Sequence, residues 1–461
     1  MKIFGKTKHI YFIGIGGIGM SGMAEFLLNH NFKISGSDIN ISERVNHLRK
    51  VGIKVNKGHY KKNISDCDLI VYSSAININN NLEIEKGKEL NIPIIKRAEL
   101  LGELIKIKAT SIAISGTHGK TTTSSMLGNI LLEAKLDPTL IIGGIVNKFD
   151  NNNISGSGDI IVVEADEFDK SFLLLNPTYA VINNLDLEHL DIYKDLNDLQ
   201  NTFIKFANST PFYGLTSICN DSNNLKLIKD NIKGQITTFG IKNKSDLMAK
   251  NIVFSKFKSN CKIFGKVIAK SFDINLNIPG EHNIYNALAA ISIALELNIN
   301  KTHIINGLNK YKGVKRRFET KFHLKNKNIL FIDDYAHHPK EIYETLSSIK
   351  NGWPNRRIIT IFQPHLFSRT KNFYIEFARA LMLSNITIIT EIYPAREKTI
   401  KGITGEIIVN EMSSQNVSFE KDINNIPNMI QSIVKNDDII ITMGAGDIYK
   451  IIDKVYNVIK K

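Results

Sequence analysis

The stretch ATSIAISGTHGKTTTS at residues 109–124 limits what this chain can fold into more than any other. Ser111 to Ser115 is a short apolar run that reads as a buried strand, and Thr121 to Lys135 carries the pattern of a helix. Gly116 and Gly119 between them let the backbone curl, so that successive N–H groups point inward at the positive end of the helix dipole and form a phosphate cradle. The cradle residues are Gly116, Thr117, His118, Gly119, Lys120, Thr121 and Thr122. Lys120 reaches the outer phosphates of a nucleotide, and the Thr121 hydroxyl holds Mg2+. The strict P-loop pattern asks for glycine five positions before Gly119, where this chain has Ile114. The spelling fails, while strand, turn, Lys-Thr and helix agree. An ordinary glycine turn is the alternative.

A second glycine loop opens the chain. HIYFIG at 9–14 alternates like a strand, and GIGGIGMSGMAEFLLNH continues into a helix with Met20, Met23, Ala24, Leu27 and Leu28 on one face. Gly14, Gly16 and Gly19 match G-x-G-x-x-G, with Gly17 inside the loop, and the next strand ends at Asp38, where a dinucleotide fold places its ribose-binding acid. Two readings stay open, a nicotinamide dehydrogenase and a Rossmann-like domain that holds another diphosphate such as a nucleotide sugar. Ser73 and Ser74 close a third strand, and ligands of open parallel sheets sit at strand C-termini, so Ser73, Ser74, His59 and Arg97 are candidate contacts. For each one taken alone, a plain surface or cap residue is the better reading.

In the middle of the chain, DIIVVEAD and TYAVINNL are buried strands followed by acids. Glu164 and His189 fall just after these runs, so a carboxylate and an imidazole can complete the shell of a magnesium ion that bridges phosphate oxygens. Residues 247–278 alternate in three short runs that predict a small antiparallel meander. The helix that follows carries His282, Asn283 and Asn286 at its polar start, and Asn offers the donor and acceptor that an adenine edge requires. Helix capping is the other reading of Asn283. Arg316 and Arg317 then precede a new strand, which puts a domain boundary near 312–320 and lets an arginine clamp a phosphate across a hinge. The last third alternates strands and helices, with polar clusters at Asp333, Asp334, Tyr335, His337 and His338 and at His365 and Arg369.

At 461 residues the chain exceeds one core, and its composition, 43% hydrophobic and 23% charged, is that of a globular protein. No window approaches the ~18 apolar residues of a membrane span. The start carries no apolar export segment, and Cys67, Cys219 and Cys261 form neither a disulfide framework nor zinc spacing, which fits a cytoplasmic protein. The net charge of +14 comes from scattered lysines without aromatic interleaving, so a solvated surface is the reading and nucleic acid is not an expected partner.

Taken together, GIGGIGMSGMAE, YSSAI, KRAELL, GTHGKTTT, EADEFDKSF, the N-x-x-x-E-H segment at 184–189, GEHNIYNALAA, GVKRRFE, DDYAHHPKE, FQPHLFSRT and GAGD stand in the order of the Mur ligases of peptidoglycan synthesis, and the chain resembles that family throughout. The family relaxes the P-loop in the same way. The resemblance implies an α/β chain of three domains: an N-terminal Rossmann-like domain (1–107), a central P-loop ATPase-like parallel sheet with a small antiparallel sheet (108–315) and a C-terminal Rossmann-like domain (316–461). It implies ATP and Mg2+ as cofactors and the small molecules UDP-N-acetylmuramate and L-alanine as substrates, with no membrane partner. Gly14, Gly16, Gly17, Gly19, Asp38, His59, Ser73, Ser74 and Arg97 belong to the UDP-sugar on this reading. Thr121, Glu164 and His189 belong to the metal, His282, Asn283 and Asn286 to the adenine, Arg317 to the phosphates and Asp334 to the ribose. Tyr335, His337, His365 and Arg369 face the amino acid, and Lys120, Glu164, His189, Arg317 and His365 carry the chemistry. The chain departs from the family at Asp186 and Glu188, where Glu and Asp are expected, and at Leu366, where many members have arginine. The latter leaves Arg369 as the carboxylate clamp.

Overall fold

A computed structural model describes residues 4–146, 151–186, 192–395, 397–412 and 416–460. The chain separates into two compact units, one of residues 1–250, 262–274 and 285–311 and one of residues 251–261, 275–284 and 312–461.

The first unit contains two sheets. In the five-stranded one, His9–Ile13 is central, with Lys33–Asp38 and Lys54–Lys57 on one side and Leu69–Tyr72 and Ile94–Lys96 on the other, all parallel. The strand order reverses at His9–Ile13, so a crevice opens beyond its carboxyl end, where Gly14 begins the first glycine loop. The helix Ile18–Asn29 buries Met20, Met23, Ala24 and Leu27 as the periodicity predicts, while Leu28 is half-buried.

In the second sheet the strand Thr110–Ser115 lies between Tyr179–Ile182 and Ile160–Glu164, parallel to both. Leu215–Cys219 and Gln235–Gly240 extend it on one side, and Thr139–Val146 with antiparallel Asn151–Ile154 on the other. Because parallel strands are buried on both faces, Ile112, Ala113, Ile114, Val162, Val163, Ala180 and Val181 form an unbroken apolar layer. That rigid layer fixes the carboxyl ends carrying the phosphate loop and Glu164. The three runs at 247–278 are the strands Leu247–Ser255, Lys258–Phe264 and Phe272–Leu276.

The second unit is built on a six-stranded sheet in the order Glu319–Leu324, Ile329–Asp334, Ile439–Met443, Ile358–Phe362, Ile386–Thr390 and Val417–Glu420. The first pair is antiparallel and the rest parallel, with a hydrophobic cluster on each face. Both edge strands alternate too weakly to be read in the sequence. The loops after Asp334 and Phe362 leave the same end of this sheet and carry the polar clusters noted above.

Candidate functional site

The first glycine loop is held by its neighbouring strand. The N–H groups of Gly14 and Ile15 donate to the Ser37 carbonyl at 2.8 and 3.0 Å, and that of Gly16 donates to Asp38 Oδ2 at 2.9 Å. Asp38 is thus committed in part to shaping the loop. Gly17 precedes the helix without a side-chain cap, so no side chain of the cap covers the positive end of that helix, a setting that suits an anion. Arg97 lies over the same turn, since a Cβ on Gly19 would come within 3.0 Å of its Nη1. A cavity of about 280 Å³ opens here, lined by Gly17 to Met20, Ser73, Ser74, Arg97, Ile141 to Gly143, Glu164 and Asp166 among others. It joins the first loop and its serines to the carboxylate expected to bind metal, although they are far apart in sequence. His59 lies beside the loop, with Nδ1 against Ser37 Oγ and Glu83.

The phosphate loop runs from Thr110–Ser115 into the helix Lys120–Glu133, and neither of its glycines tolerates a side chain. Gly119 has φ +81°, and a Cβ there would stand 2.2 Å from Asn286 Oδ1; Gly116 has φ +126° and is closed in by the backbone of Asn183 and Asn184. Underneath, Asn183 Nδ2 donates to Thr123 Oγ1, which donates to Asn286 Oδ1, all three residues being buried. Asn184 Oδ1 accepts from the N–H of His118, and Thr117 Oγ1 is tied to the backbone of Asp186. Asn286, expected at an adenine edge, is thus turned under the loop as one of its supports. Asn283 donates to the carbonyl of Pro279 and is also buried.

Lys120 Nζ arches back over the loop to the Gly116 carbonyl at 2.7 Å and to Glu167 Oε2 at 2.8 Å. Glu167 is only 2% exposed, and Asp166 stands 4.0 Å from the same ammonium. Glu164 receives the Gly143 N–H at 2.8 Å and the Thr121 hydroxyl. Burial raises its pKa, an effect opposed by these donors and by Lys120. A recessed carboxylate beside a hydroxyl, at the helix start where phosphates would lie, is an all-oxygen donor set suited to Mg2+. His189 lies outside the described residues, and among those described no cluster of three or more His, Cys, Asp or Glu residues forms a metal site. His118 Nε2 is 3.7 Å from Asp186. Thr122 is buried on the first turn of the helix.

In the second unit, the two neighbouring arginines divide their tasks. Arg316 binds the buried Asp333, donates to the carbonyls of Gly444 and Gly446 and packs against Tyr449 and Tyr335, so it belongs to the fold and anchors the GAGD loop. Arg317 lies over Tyr335 and 3.4 Å from Glu341. Asp334, expected at a ribose, accepts the N–H groups of Phe318 and Ala336 at 2.8 Å each and so ties down the strand entry; burial pushes its pKa up to about 6, against the pull of Arg317. His282 stands 3.7 Å from Glu344.

Tyr335, His337, His365 and Arg369 do come together. His337 packs edge-on against Tyr335 and His365, and His365 stacks on Tyr393. His337 Nδ1 lies 3.0 Å from the Tyr335 carbonyl and 3.2 Å from Glu341, both acceptors, so Nδ1 carries the proton and Nε2 is left as an acceptor. Arg369 Nη1 is buried with no hydrogen-bond partner among the described residues, which marks a place for an anion. Leu366, just before this helix, holds φ +70°, a conformation rare for a residue with a side chain, and so sets the direction in which His365 and Arg369 leave the turn. Glu167, Asn183, Glu341 and Tyr393 were not singled out from sequence. Glu167 and Asn183 sit in quoted motifs at strand ends, whereas Tyr393 has no local signal.

Gly119→Ala should cost about 1–3 kcal/mol of local strain, and therefore weaken ATP about ten- to hundredfold; titration with ATP checks this, and unchanged affinity would mean the loop has room the geometry denies. Burial lowers the His337 pKa to about 3, helped by Arg369 and His365 and opposed by Glu341. The unfolded imidazole takes up a proton near its ordinary value of 6.5 and the folded one does not, so the stability tied to neutral His337 is complete above that value and is lost as pH falls toward 3. Urea unfolding between about pH 7 and pH 4 should show His337→Gln losing less stability than the parent chain.

Comparison with known proteins agrees along the whole length. The chain matches the Mur ligase family, catalytic domain over residues 9–109, the Mur ligase middle domain over 114–294 and the Mur ligase, glutamate ligase domain over 316–446. It is 43% identical to the UDP-N-acetylmuramate–L-alanine ligase of Persephonella marina, covering 99% of this chain and 98% of that protein, and 44% identical to the one from Clostridium kluyveri, covering 97% and 98%. Among solved structures, a UDP-N-acetylmuramate-alanine ligase from Thermotoga maritima superimposes with a TM-score of 0.83 at 29% identity, over 98% of both chains. A murein peptide ligase from Psychrobacter arcticus shares the fold with a TM-score of 0.72 at 23% identity, over 98% of this chain and 99% of that one. With its two glycine cradles, its Lys120 loop and its C-terminal His and Arg cluster in this order, the chain belongs to the Mur ligase family.

Proposed function

We propose that this enzyme joins L-alanine to the lactoyl carboxylate of UDP-N-acetylmuramate at the expense of ATP, giving ADP and phosphate. The observation that carries the reading is the cavity whose walls are the first glycine helix, Ser73, Ser74 and Arg97 on one side and Glu164 and Asp166 on the other. A UDP-sugar whose diphosphate rests on that helix start and Arg97 presents its carboxylate toward the residues around the phosphate loop. The identities to alanine ligases of two bacteria support the same substrates.

The lactoyl carboxylate attacks the γ-phosphorus in line, the bond to the ADP oxygen breaks, and an acyl phosphate results. Lys120 and the positive end of the helix that follows the loop meet the charge that spreads over the transferring oxygens. Thr121 and Glu164, with His189, would hold Mg2+, which supplies charge neutralisation at the phosphates. The amine of alanine then attacks the acyl carbon, and the tetrahedral intermediate collapses with phosphate as leaving group. Arg369 takes the alanine carboxylate, with Tyr335, His337 and His365 around the amine; neutral His337 offers Nε2 as a hydrogen-bond acceptor, and His365 is the candidate to receive the amine proton. Arg317 serves the phosphates. Water must be kept out while the acyl phosphate waits for its amine.

We place the reaction in the cytoplasm. Cys67, Cys219 and Cys261 form no disulfide, and among the described residues no helix is long and apolar enough to cross a membrane.

Mass analysis of products from ATP, Mg2+ and UDP-N-acetylmuramate offered alanine, serine and glycine in competition tests the assignment: the alanyl product should dominate, and its absence would refute the reading. Lys120→Ala should lose about 10²-fold or more in rate, the scale for one transition-state charge partner, while UDP-sugar binding survives; near-normal turnover would remove Lys120 from the chemistry. Arg369→Ala should raise the KM for alanine far more than that for ATP, and equal rises would take Arg369 out of the alanine site.

A further inference from the structure

In the first turn of the helix Leu82–Glu89, beside the first sheet, Glu83 is completely buried yet surrounded by donors. Its Oε1 accepts from Tyr11 Oη at 2.7 Å and Asn63 Nδ2 at 2.6 Å, and its Oε2 from Ser37 Oγ at 2.6 Å, with His59 Nδ1 at 3.1 Å. Four donors on two oxygens satisfy a carboxylate. Burial next to this carboxylate pushes the Tyr11 hydroxyl pKa up, so Tyr11 remains a donor.

Counting protons fixes the imidazole. Ser37 has one hydroxyl hydrogen, and it goes to Glu83; the 2.8 Å contact between Ser37 Oγ and His59 Nδ1 therefore needs a proton on Nδ1. Glu83 asks for the same. Nδ1 is the donor toward both, and Nε2, which makes no hydrogen bond among the described residues, is the nitrogen left to meet a ligand. The place where it does so is set by backbone: the Ser37 carbonyl receives Gly14 and Ile15, the Asp38 carboxylate receives Gly16, and the Asp38 carbonyl receives Gly58, the residue before His59. The strand end that shapes the first glycine loop is the one that orients His59.

We infer that Glu83 is a positioning residue for the nucleotide: through His59 Nδ1 it fixes the tautomer and direction of the ring whose Nε2 contacts the UDP-sugar. This rests on the reading of the first loop as the UDP-sugar cradle. A carboxylate buried for stability alone would have no reason to bind the inner nitrogen of a partly exposed histidine, 13% of whose side chain is open, beside the strand end that shapes that cradle.

The test uses the full chain and UDP as probe. Glu83→Gln keeps the volume but sets an amide donor among donors, and it should weaken UDP by about tenfold, the difference between a held and an unheld charge-assisted contact. The KM for UDP-N-acetylmuramate should rise with it, while those for ATP and alanine hold. His59→Asn should weaken UDP as much, and the double variant no further. Ser37→Ala, a smaller change that removes the second acceptor of Nδ1, should shift the UDP affinity in the same direction and serves if Glu83→Gln does not fold. Unchanged UDP affinity in folded Glu83→Gln or, failing that, in Ser37→Ala, or additive losses in the double variant, would overturn the inference. If the parent chain itself does not bind UDP, the UDP-sugar reading of the cradle fails first.

Discussion

The pressure of Asn286 and Asn183 on Gly119 is the constraint from which the rest of the first unit follows. No side chain fits there, the residue must take a left-handed φ, and the buried Asn183, Thr123 and Asn286 hold it from below. Held in that way, Gly119 and the helix start that follows it need not reorganise, which is the condition under which fixed dipoles stabilise a charged transition state, while the N–H groups of Thr117 and His118 are taken up by Asn184. Lys120 is kept over the loop by the Gly116 carbonyl and Glu167, so its charge is already in place and already balanced.

A common device recurs through the molecule. Positive groups are arranged in places that suit an anion: Arg97 over the turn at Gly19, Lys120 over the phosphate loop, Arg369 with a buried Nη1 that has no hydrogen-bond partner among the described residues. Each is set by a different element. The carboxylates around them separate into those that balance a cation, such as Glu167, those that hold backbone, such as Asp334, and Glu164, whose recessed oxygens suit a metal. The charge of +14 is spread more widely than these pockets, and their function depends on burial and aim rather than on the total.

The glycine loops were legible because their chemistry is local: turn, helix start and phosphate contact lie within about a dozen residues, and the apolar runs that feed them have nowhere to go but a parallel sheet. His337, His365 and Arg369 were legible as a set through the family motifs, and the structure does gather them. What could not be read was the direction of a side chain. An amide such as Asn286 can face an adenine or the underside of a loop, and the choice is made by Gly119 and Thr123, far away in sequence. Arg316 and Arg317 are adjacent, yet one is spent on Asp333 and the GAGD loop while the other lies over Tyr335. Tyr393 enters its site through pairing with His365, which no local pattern announces. The two edge strands of the last sheet were lost for a related reason, since half-buried edges carry little periodicity.

The central claim is that a carboxylate from the UDP-sugar is phosphorylated where the cavity at the first glycine cradle reaches Glu164 and Asp166. Isotope transfer tests it most directly. With the lactoyl carboxylate of UDP-N-acetylmuramate labelled with heavy oxygen, the phosphate released during alanine ligation should carry one labelled oxygen, because the bond broken at collapse is the one between the acyl carbon and that oxygen. Phosphate released without label, while the alanyl product forms, would contradict the account.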